Sequence, residues 1–291
     1  MRVAWISDTS FFGGGAGRTD QEIILEGIRR DYDVYICLPR TEVHESDVYI
    51  VSNAVQFPKE FLTKLSPRIV FLHDWFPLCD YRLLYPMQEK CKGCKNRGYT
   101  LKLLQGSKLV FFMSRLHMDG WTWALPEVKD LPYELVPSAF SKSQVEELKT
   151  LRNSMPDENT VLSVNGLLPY KGRDLVLKYA EEHQNLRFTF VGASEGVEQL
   201  PKNCRYIGPQ PWKSLLHMYA VNESLIHLPQ LEPCSRVVCE SLLAGKRLIA
   251  NRCVGLLSYF DYRVPTPEEV EKLVLVAGEN FWSSVETKVN L

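Results

Sequence analysis

Strand and helix signals alternate along this chain, and the alternation halts near residue 140 and restarts near residue 157. In each part, a short apolar run is followed by a segment with helical periodicity, as in residues 2–7 and 18–30. This order is typical of α/β domains, in which helices connect parallel strands. The chain has 291 residues, more than one core usually holds. We therefore expect two α/β domains, each built around a largely parallel sheet.

The domain boundaries follow from where the alternation stops. Residues 1–140 are expected to form an N-terminal domain and residues 157–270 a C-terminal domain. Between them, residues 141–156 contain prolines, serines and one charged helical segment, which indicates a linker. Residues 271–291 are expected to form a helix that packs back on the N-terminal domain. Two α/β units joined in this way predict a cleft between domains, a common place for a ligand.

Charge and hydropathy argue against a nucleic-acid-binding protein and against a membrane-spanning protein. Lysine and arginine number 34 and the acidic residues 35, so the net charge is −1 and no overall field attracts nucleic acid. No stretch approaches the roughly 20 apolar residues of a membrane-spanning helix, and the N-terminus lacks the pattern of a signal peptide. The expected location is the cytoplasm, where cysteines stay mostly reduced. Basic residues between positions 90 and 97 leave the inner face of a membrane as an alternative.

The most informative segment surrounds two glutamates eight positions apart, Glu232 and Glu240. A helix is expected to begin near Ser235, which places Glu232 in the preceding loop and Glu240 in the second helical turn. The N–H groups of Ser235, Arg236 and Val237 at the start of that helix would then point toward an anion. Both carboxylates could lie beside the same ligand and accept hydrogen bonds from its hydroxyl groups. The pattern favours a phosphate flanked by sugars.

This segment resembles the signature of retaining GT-B glycosyltransferases, specifically glycosyltransferase family 4. The likeness rests on Glu232, on Glu240 eight positions later, and on the Ser-Leu-Leu-Ala-Gly-Lys run that follows. Three shorter elements are similar to elements of the same family: a glycine loop at 13–18, a His-Asp-aromatic element at 72–79 and a Lys-Gly element at 167–172. The resemblance implies the GT-B fold, in which two Rossmann-like α/β domains face a cleft.

The resemblance also implies a reaction. Such an enzyme transfers a sugar from a nucleoside diphosphate sugar, here a UDP- or GDP-sugar, to an acceptor hydroxyl with retention of configuration. The acceptor would be a glycan, a lipid-linked molecule or a small molecule, bound by the N-terminal domain. No cofactor and no metal are expected, because a lysine and helix amides can neutralise the donor diphosphate.

The family's functional residues correspond to particular positions of this chain. In the family, the first glutamate contacts the donor sugar and the second contacts the ribose, which implies these roles for Glu232 and Glu240. Lys171 would bind the diphosphate, and His73 would reach the donor sugar or its phosphate. The predicted catalytic residues are His73 and Glu232, and the predicted donor-binding residues are Gly14, Gly15, Lys171, Ser235, Arg236, Val237 and Glu240.

One position departs from the family's pattern. An arginine usually stands five residues before the lysine as a second phosphate ligand, and here that position is Gly166. Loss of a guanidinium weakens diphosphate binding, since arginine forms two charge-assisted hydrogen bonds. Arg173 or Arg236 could take its place. The competing hypothesis is a non-catalytic nucleotide-sugar-binding homologue or partner subunit.

A zinc site is a further hypothesis. Cys91 and Cys94 have the spacing of metal ligands, and Cys79 could be a third. They lie in residues 73–100, a segment without regular pattern that is expected to form a functional loop. No second Cys-x-x-Cys pair exists to complete a structural site, so reduced thiols are the default expectation.

Two other motifs fail on position or spacing. Asp31 and Asp33 match an Asp-x-Asp metal motif of another glycosyltransferase fold, but they begin a strand instead of ending one, so a surface turn is expected. The glycine loop invites a dinucleotide-binding interpretation, but its third glycine would fall on Arg18 or Asp20. An NAD enzyme is therefore a weaker hypothesis than a glycosyltransferase.

Overall fold

The computed structural model describes residues 1–8, 14–79, 93–164, 166–196 and 199–289. The chain forms two compact units, one of residues 1–140 with 274–291 and the other of residues 141–273. The first unit is therefore built from both ends of the chain, whereas the second is contiguous. None of the helices in the described ranges has the length and apolar composition that crossing a membrane requires.

The first unit contains a parallel sheet with the strand order β2-β1-β3-β4-β5-β6 among its described residues. The strands are β1 (Arg2–Ile6), β2 (Asp33–Cys37), β3 (Val48–Ser52), β4 (Arg68–Leu72), β5 (Leu109–Phe112) and β6 (Tyr133–Leu135). The helices are α1 (Gly14–Arg29), α2 (Lys59–Lys64), α3 (Arg97–Gln105) and α4 (Arg115–Ala124). Every residue of β4 and β5 is buried, as expected for a parallel sheet whose two faces are covered.

The second unit contains a parallel sheet with the order β11-β10-β7-β8-β9 in the part of the chain that is described. Its strands are β7 (Asp157–Ser163), β8 (Arg187–Phe190), β9 (Cys204–Tyr206), β10 (Asn222–His227) and β11 (Arg247–Ala250). The remaining helices of the chain are α5 (Lys142–Thr150), α6 (Arg173–Glu182), α7 (Trp212–Val221), α8 (Arg236–Leu243), α9 (Pro267–Leu275) and α10 (Ala277–Val289). One side of this sheet packs its apolar side chains, such as Val161, Phe188 and Ile226, against Val176 and Ala180 of α6. The α/β class with two parallel sheets is thus confirmed.

The last helix, α10, belongs to the first unit and packs against α1. The Trp282 ring lies on Gly27, where a Cβ atom would overlap the ring, and its Nε1 donates a hydrogen bond to the Ile23 carbonyl at 2.7 Å. Trp282 and Phe281 are fully buried. The C-terminal segment therefore completes the core of the first unit.

Some local expectations differ from the structure. Residues 141–156 carry the expected helical segment, α5, but they group with the second unit, because α5 buries Val145 and Leu148 and contacts α8. The segment expected to be a single C-terminal helix forms two, α9 and α10. The first helix begins at Gly14 instead of residue 18, so that Gly15 and Gly17, which the sequence suggested were part of a turn, lie in its first turn. The irregular segment 73–100 ends in α3, and its residues 80–92 lie outside the described ranges.

Candidate functional site

The N-terminus of α8 lies where the sequence predicts it. Ser235 is the N-cap residue, and its Oγ accepts a hydrogen bond from the Val238 N–H at 3.4 Å. The first N–H groups of a helix have no partner within the helix, and the helix dipole adds partial positive charge there. The backbone at Ser235, Arg236 and Val237 is therefore suited to an anion such as a phosphate.

Lys171 and Glu232 lie together, although 61 positions separate them in the chain. The Lys171 ammonium donates a hydrogen bond to the Glu232 carboxylate, and both side chains remain partly exposed. The backbone of Glu232 is held on both sides, because its N–H donates to the Cys253 carbonyl and its carbonyl accepts from the Gly255 N–H, each at 2.8 Å. The structure therefore brings these two predicted donor-site residues into one cluster.

The glycine of the Lys-Gly element explains how this cluster forms. Gly172 has a φ angle of +83°, and a Cβ atom at this position would overlap the Leu228 carbonyl oxygen. Only glycine tolerates both the conformation and the close approach. This contact holds the turn that carries Lys171 against the loop that follows β10 and carries Glu232.

His227 lies next to the Lys171–Glu232 ion pair, and the sequence did not indicate it as a candidate site residue. It is the last residue of β10, it is buried, and its Nε2 lies 3.9 Å from Glu232 Oε2. Burial lowers the pKa of His227 to about 4, with the Lys171 charge acting in the same direction and Glu232 opposing them. The imidazole is therefore neutral at pH 7. Its position at the carboxyl end of a parallel strand is the signal that could have indicated it.

Glu240 bonds a different set of side chains from Glu232. It is buried, and its Oε2 accepts a hydrogen bond from the Tyr219 hydroxyl at 2.9 Å. The Arg236 Nε lies 3.4 Å from Glu240 Oε1, and the Arg236 Nη2 donates to Gln144 Oε1 of α5 at 2.7 Å. The Arg236 guanidinium is thus engaged by α5 and Glu240, which argues against its replacing the missing phosphate ligand.

The backbone at Gly166 gives a physical reason for the missing arginine. Gly166 has a φ angle of +66°, its N–H donates to the Val191 carbonyl at 2.7 Å, and a Cβ atom would overlap the Ala193 carbonyl oxygen. No side chain fits there in this conformation. Arg173, the first residue of α6, donates from Nη1 to the Glu195 carbonyl at 2.5 Å. Its guanidinium therefore lies on the same short loop that excludes a side chain at Gly166.

In the first unit, three neighbouring strands bring polar groups to one edge of the sheet. Ser7 follows β1, Ser52 ends β3 and His73 follows β4, and these strands are adjacent in the sheet. Asp20 of α1 meets them: its Oδ1 lies 2.7 Å from His73 Nε2, and Ser52 Oγ donates to its two oxygens at 2.9 and 3.0 Å. Asp20 was missed as a site residue, because nothing in its local sequence distinguishes it.

The residues after His73 hold the backbone of its loop. The Asp74 carbonyl accepts hydrogen bonds from His117 Nε2 at 2.9 Å and from Trp121 Nε1 at 3.2 Å. Trp75 is buried and packs against both rings, with centroid distances of 5.1 Å to His117 and 6.0 Å to Trp121. The aromatic part of the His-Asp-aromatic element is therefore structural, and it fixes the position of His73.

The structure describes only some of the glycines and cysteines that the sequence indicated as candidate site residues. Gly14 and Gly15 form the start of α1, whereas Gly13 lies outside the described residues. Cys91 also lies outside them, and the Cys94 thiol donates to the Leu78 carbonyl at 3.6 Å. Within the described ranges, no cluster of three or more metal-ligating side chains was found. The zinc hypothesis and the roles of these glycines stay predictions.

The central part of the second unit carries a family signature. Residues 145–264 match the family of glycosyl transferases group 1. This match spans less than half of the chain and includes Lys171, Glu232 and Glu240. No curated protein sequence matches the chain.

Several solved structures match over nearly the whole chain. HepE of Anabaena in complex with UDP-glucose is 15% identical, with a TM-score of 0.60, and the match covers 99% of this chain and 92% of that one. AviGT4, a glycosyltransferase involved in avilamycin A biosynthesis, is 11% identical, with a TM-score of 0.65 and coverage of 100% and 98%. Sucrose-phosphate synthase from Thermosynechococcus elongatus is 13% identical, with a TM-score of 0.68 and coverage of 97% and 90%. At these identities the likeness shows the fold, which is the α/β fold of GT-B glycosyltransferases. With the family match, it supports a glycosyltransferase.

Proposed function

We propose that this protein is a retaining glycosyltransferase that moves a sugar from a nucleoside diphosphate sugar to an acceptor hydroxyl. The observation that carries the proposal is the Lys171–Glu232 ion pair, set beside the N-terminus of α8 within the segment that matches the family. This cluster joins one cation, one carboxylate and a helix N-terminus, which is the set of groups that a sugar diphosphate requires.

When the donor binds, Lys171 and Glu232 would separate, and each would form hydrogen bonds to the donor instead. Phosphate oxygens accept hydrogen bonds from the Lys171 ammonium and from the N–H groups at Ser235–Val237. The Glu232 carboxylate, which Lys171 neutralises in the ligand-free chain, then accepts hydrogen bonds from hydroxyl groups of the donor sugar. Arg173 and Arg236 are the candidates for a second cation, and both already have partners: Arg173 bonds to Asp174 and to the Glu195 carbonyl, and Arg236 bonds to Gln144 and lies beside Glu240.

Glu240 would accept hydrogen bonds from the nucleotide ribose. Its carboxylate is already held by the Tyr219 hydroxyl, so its orientation is set before a ligand binds. UDP is the favoured nucleotide, because HepE was crystallised with UDP-glucose, and GDP is the alternative. The acceptor is a glycan, a lipid-linked molecule or a small molecule, and we propose a cytoplasmic location.

The chemical step breaks the bond between the anomeric carbon and the phosphate oxygen, and the diphosphate leaves with the electron pair. The acceptor oxygen forms the new bond to the anomeric carbon on the same face, and its proton passes to the departing diphosphate. The negative charge that develops on the diphosphate is stabilised by Lys171 and the helix amides, which is the largest contribution expected of the protein. No metal is required for this charge to be stabilised. His73 would contribute a hydrogen bond from the first unit to the sugar or its phosphate.

A non-catalytic nucleotide-sugar-binding protein is the second candidate. The observation that favours it is Gly166, where the backbone excludes the side chain of a phosphate-binding arginine. Such a protein would bind a nucleotide sugar without releasing the nucleoside diphosphate.

Release of nucleoside diphosphate from a panel of UDP-, GDP-, ADP- and CMP-sugars, with CMP measured for the last, separates the two candidates. We expect release from one donor class and loss of both release and donor binding in Glu232→Ala, with Glu182→Ala on α6 as the control. Binding of a donor to the wild-type protein without release would favour the non-catalytic candidate. Absence of both release and donor-dependent thermal stabilisation would contradict the two proposals together.

A further inference from the structure

Asp20 is a fully buried carboxylate whose presence packing alone does not explain. Its two oxygens accept hydrogen bonds from Ser52 Oγ, and Ser7 Oγ lies 3.5 Å from Oδ2. Burial of a carboxylate has an unfavourable free energy that hydrogen bonds offset only in part, and an apolar side chain of similar volume is often as stabilising. This carboxylate therefore indicates a role beyond packing, and its 2.7 Å contact with His73 Nε2 shows where that role lies.

The contact determines which nitrogen of His73 carries a proton. An ionised carboxylate only accepts hydrogen bonds, so the proton between Asp20 and His73 is on Nε2. The hydroxyl of Ser52 donates to the same carboxylate, which keeps both of its oxygens in the role of acceptor. In the neutral imidazole, Nδ1 then holds a lone pair. Nδ1 is buried and has no hydrogen-bond partner among the described residues.

The ring of His73 is also fixed by its surroundings. Its side chain is only 3% exposed, and its ring centroid lies 4.0 Å from that of Phe71. The next residue, Asp74, is anchored through its carbonyl by His117 and Trp121. Since neither the ring nor the backbone is free to turn, the hydrogen bond to Asp20 decides what Nδ1 offers to a ligand.

We propose that Asp20 is a positioning residue, which holds the Nε2–H of His73 and thereby reserves Nδ1 to accept a hydrogen bond from a sugar hydroxyl. The catalytic consequence rests on the proposed glycosyltransferase function. It also narrows the role of His73, because a lone pair attracts a hydroxyl proton and repels a phosphate oxygen. His73 therefore recognises the sugar and not the diphosphate.

Asp20→Asn tests the proposal with little change in shape. The asparagine carbonyl can still accept from the Ser52 hydroxyl, which turns its amide NH₂ toward His73 Nε2. The proton then moves to Nδ1, and the ring offers a donor where the sugar hydroxyl needs an acceptor. We expect kcat/KM to fall about 100-fold, the scale expected when a catalytic group is misplaced. Asp47→Asn, an exposed carboxylate that accepts from the Arg2 N–H, is the control for the charge change.

The tautomer itself is the readout that a merely structural role would not move. ¹⁵N-labelled histidine NMR should show His73 protonated at Nε2 in the wild-type protein and at Nδ1 in Asp20→Asn. A wild-type His73 protonated at Nδ1, whether alone or together with Nε2, would overturn the proposal, and so would an unchanged tautomer in a folded Asp20→Asn protein. The wild-type spectrum decides the first point even if the variant does not fold.

A double-mutant cycle tests whether Asp20 acts through His73. Asp20→Asn should lower activity in the wild-type protein and have no further effect in a His73→Ala background, whereas additive losses would overturn the proposal. Loss of both donor hydrolysis and transfer would assign the hydroxyl to the donor sugar, and loss of transfer alone would assign it to the acceptor. If no donor is turned over at all, the glycosyltransferase proposal fails, while the NMR result still decides the role of Asp20.

Discussion

The two units hold their functional groups in opposite ways. In the second unit, Lys171 and Glu232 form a partly exposed ion pair on two loops that meet through a glycine. In the first unit, Asp20 and His73 form a buried pair on a helix and a strand end. The exposed pair is available to exchange partners with a ligand, whereas the buried pair serves to fix a ring. The first arrangement suits binding, and the second suits positioning.

The units also differ in how the chain assembles them. The second unit is contiguous, and a family signature matches residues 145–264 within it. The first unit needs α10 from the other end of the chain to complete its core. The candidate residues Lys171, Glu232 and Glu240 of the second unit lie in local motifs, as does His73 of the first unit, whereas Asp20 is recognisable only from its neighbours in the folded sheet.

The largest effect is expected where the first unit depends on the C-terminal segment. Trp282→Ala removes a fully buried ring and its hydrogen bond to Ile23, and should lower the free energy of unfolding by about 3–5 kcal/mol in urea denaturation. Trp212→Ala, at a partly exposed ring of α7, is the control and should have a smaller effect. Equal losses in the two variants would mean that the first unit does not depend on α10.

The next effect tests whether the exposed pair binds the donor. Lys171→Ala should lower kcat/KM about 100- to 1,000-fold, because one preorganised charge on the departing diphosphate is lost. Lys178→Ala, at an exposed lysine of α6, should leave kcat/KM unchanged. If Lys171→Ala retained the donor KM and kcat of the wild-type protein, the Lys171–Glu232 pair would not be a donor-binding pair.

His227 is expected to make the free energy of unfolding depend on pH. Its pKa is about 4 in the folded protein, against an ordinary value near 6.5, so the unfolded chain binds more protons between these pH values. Its contribution is complete above about pH 6.5 and is lost as the pH falls toward 4, a change of about 3 kcal/mol. Subtraction of the urea unfolding curves of His227→Gln from those of the wild type should isolate this slope. A flat difference between pH 7 and 4 would show that His227 binds a proton as readily in the folded protein as in the unfolded chain.

The last comparison concerns the close approach that joins the two loops of the second unit. Gly172→Ala should cost about 2–4 kcal/mol, because the Cβ atom would meet the Leu228 carbonyl and the φ angle is positive. Gly208 has a similar φ angle of +73° but open space around it, so Gly208→Ala should cost only about 1–2 kcal/mol, the price of the conformation alone. The free energies of unfolding of both variants give the comparison, and equal values would mean that the contact with Leu228 contributes nothing.

Elements of the fold that depend on residues close together in the sequence can be predicted from it, whereas elements that depend on distant residues cannot. Helix α8 begins after its N-cap residue Ser235, where the sequence indicated a helix start, and β1 lies within the expected residues 2–7. These features depend on neighbours a few positions away. The helix α3 and the short strand β6 were not indicated, because both have weak local patterns and are stabilised by packing against the rest of the first unit.

The sequence alone determined two α/β units with parallel sheets, because these follow from local periodicity, whereas only a family resemblance assigned Lys171 and Glu232 to one donor site. The tertiary structure decided that Asp20 meets His73, since β1, β3 and β4 become neighbours only when the sheet forms. The tertiary structure also leaves no room for a side chain at position 166, because the Ala193 carbonyl that would obstruct it comes from another loop. Buried polar contacts depend on which distant segments pack together, and no local pattern of residues specifies that.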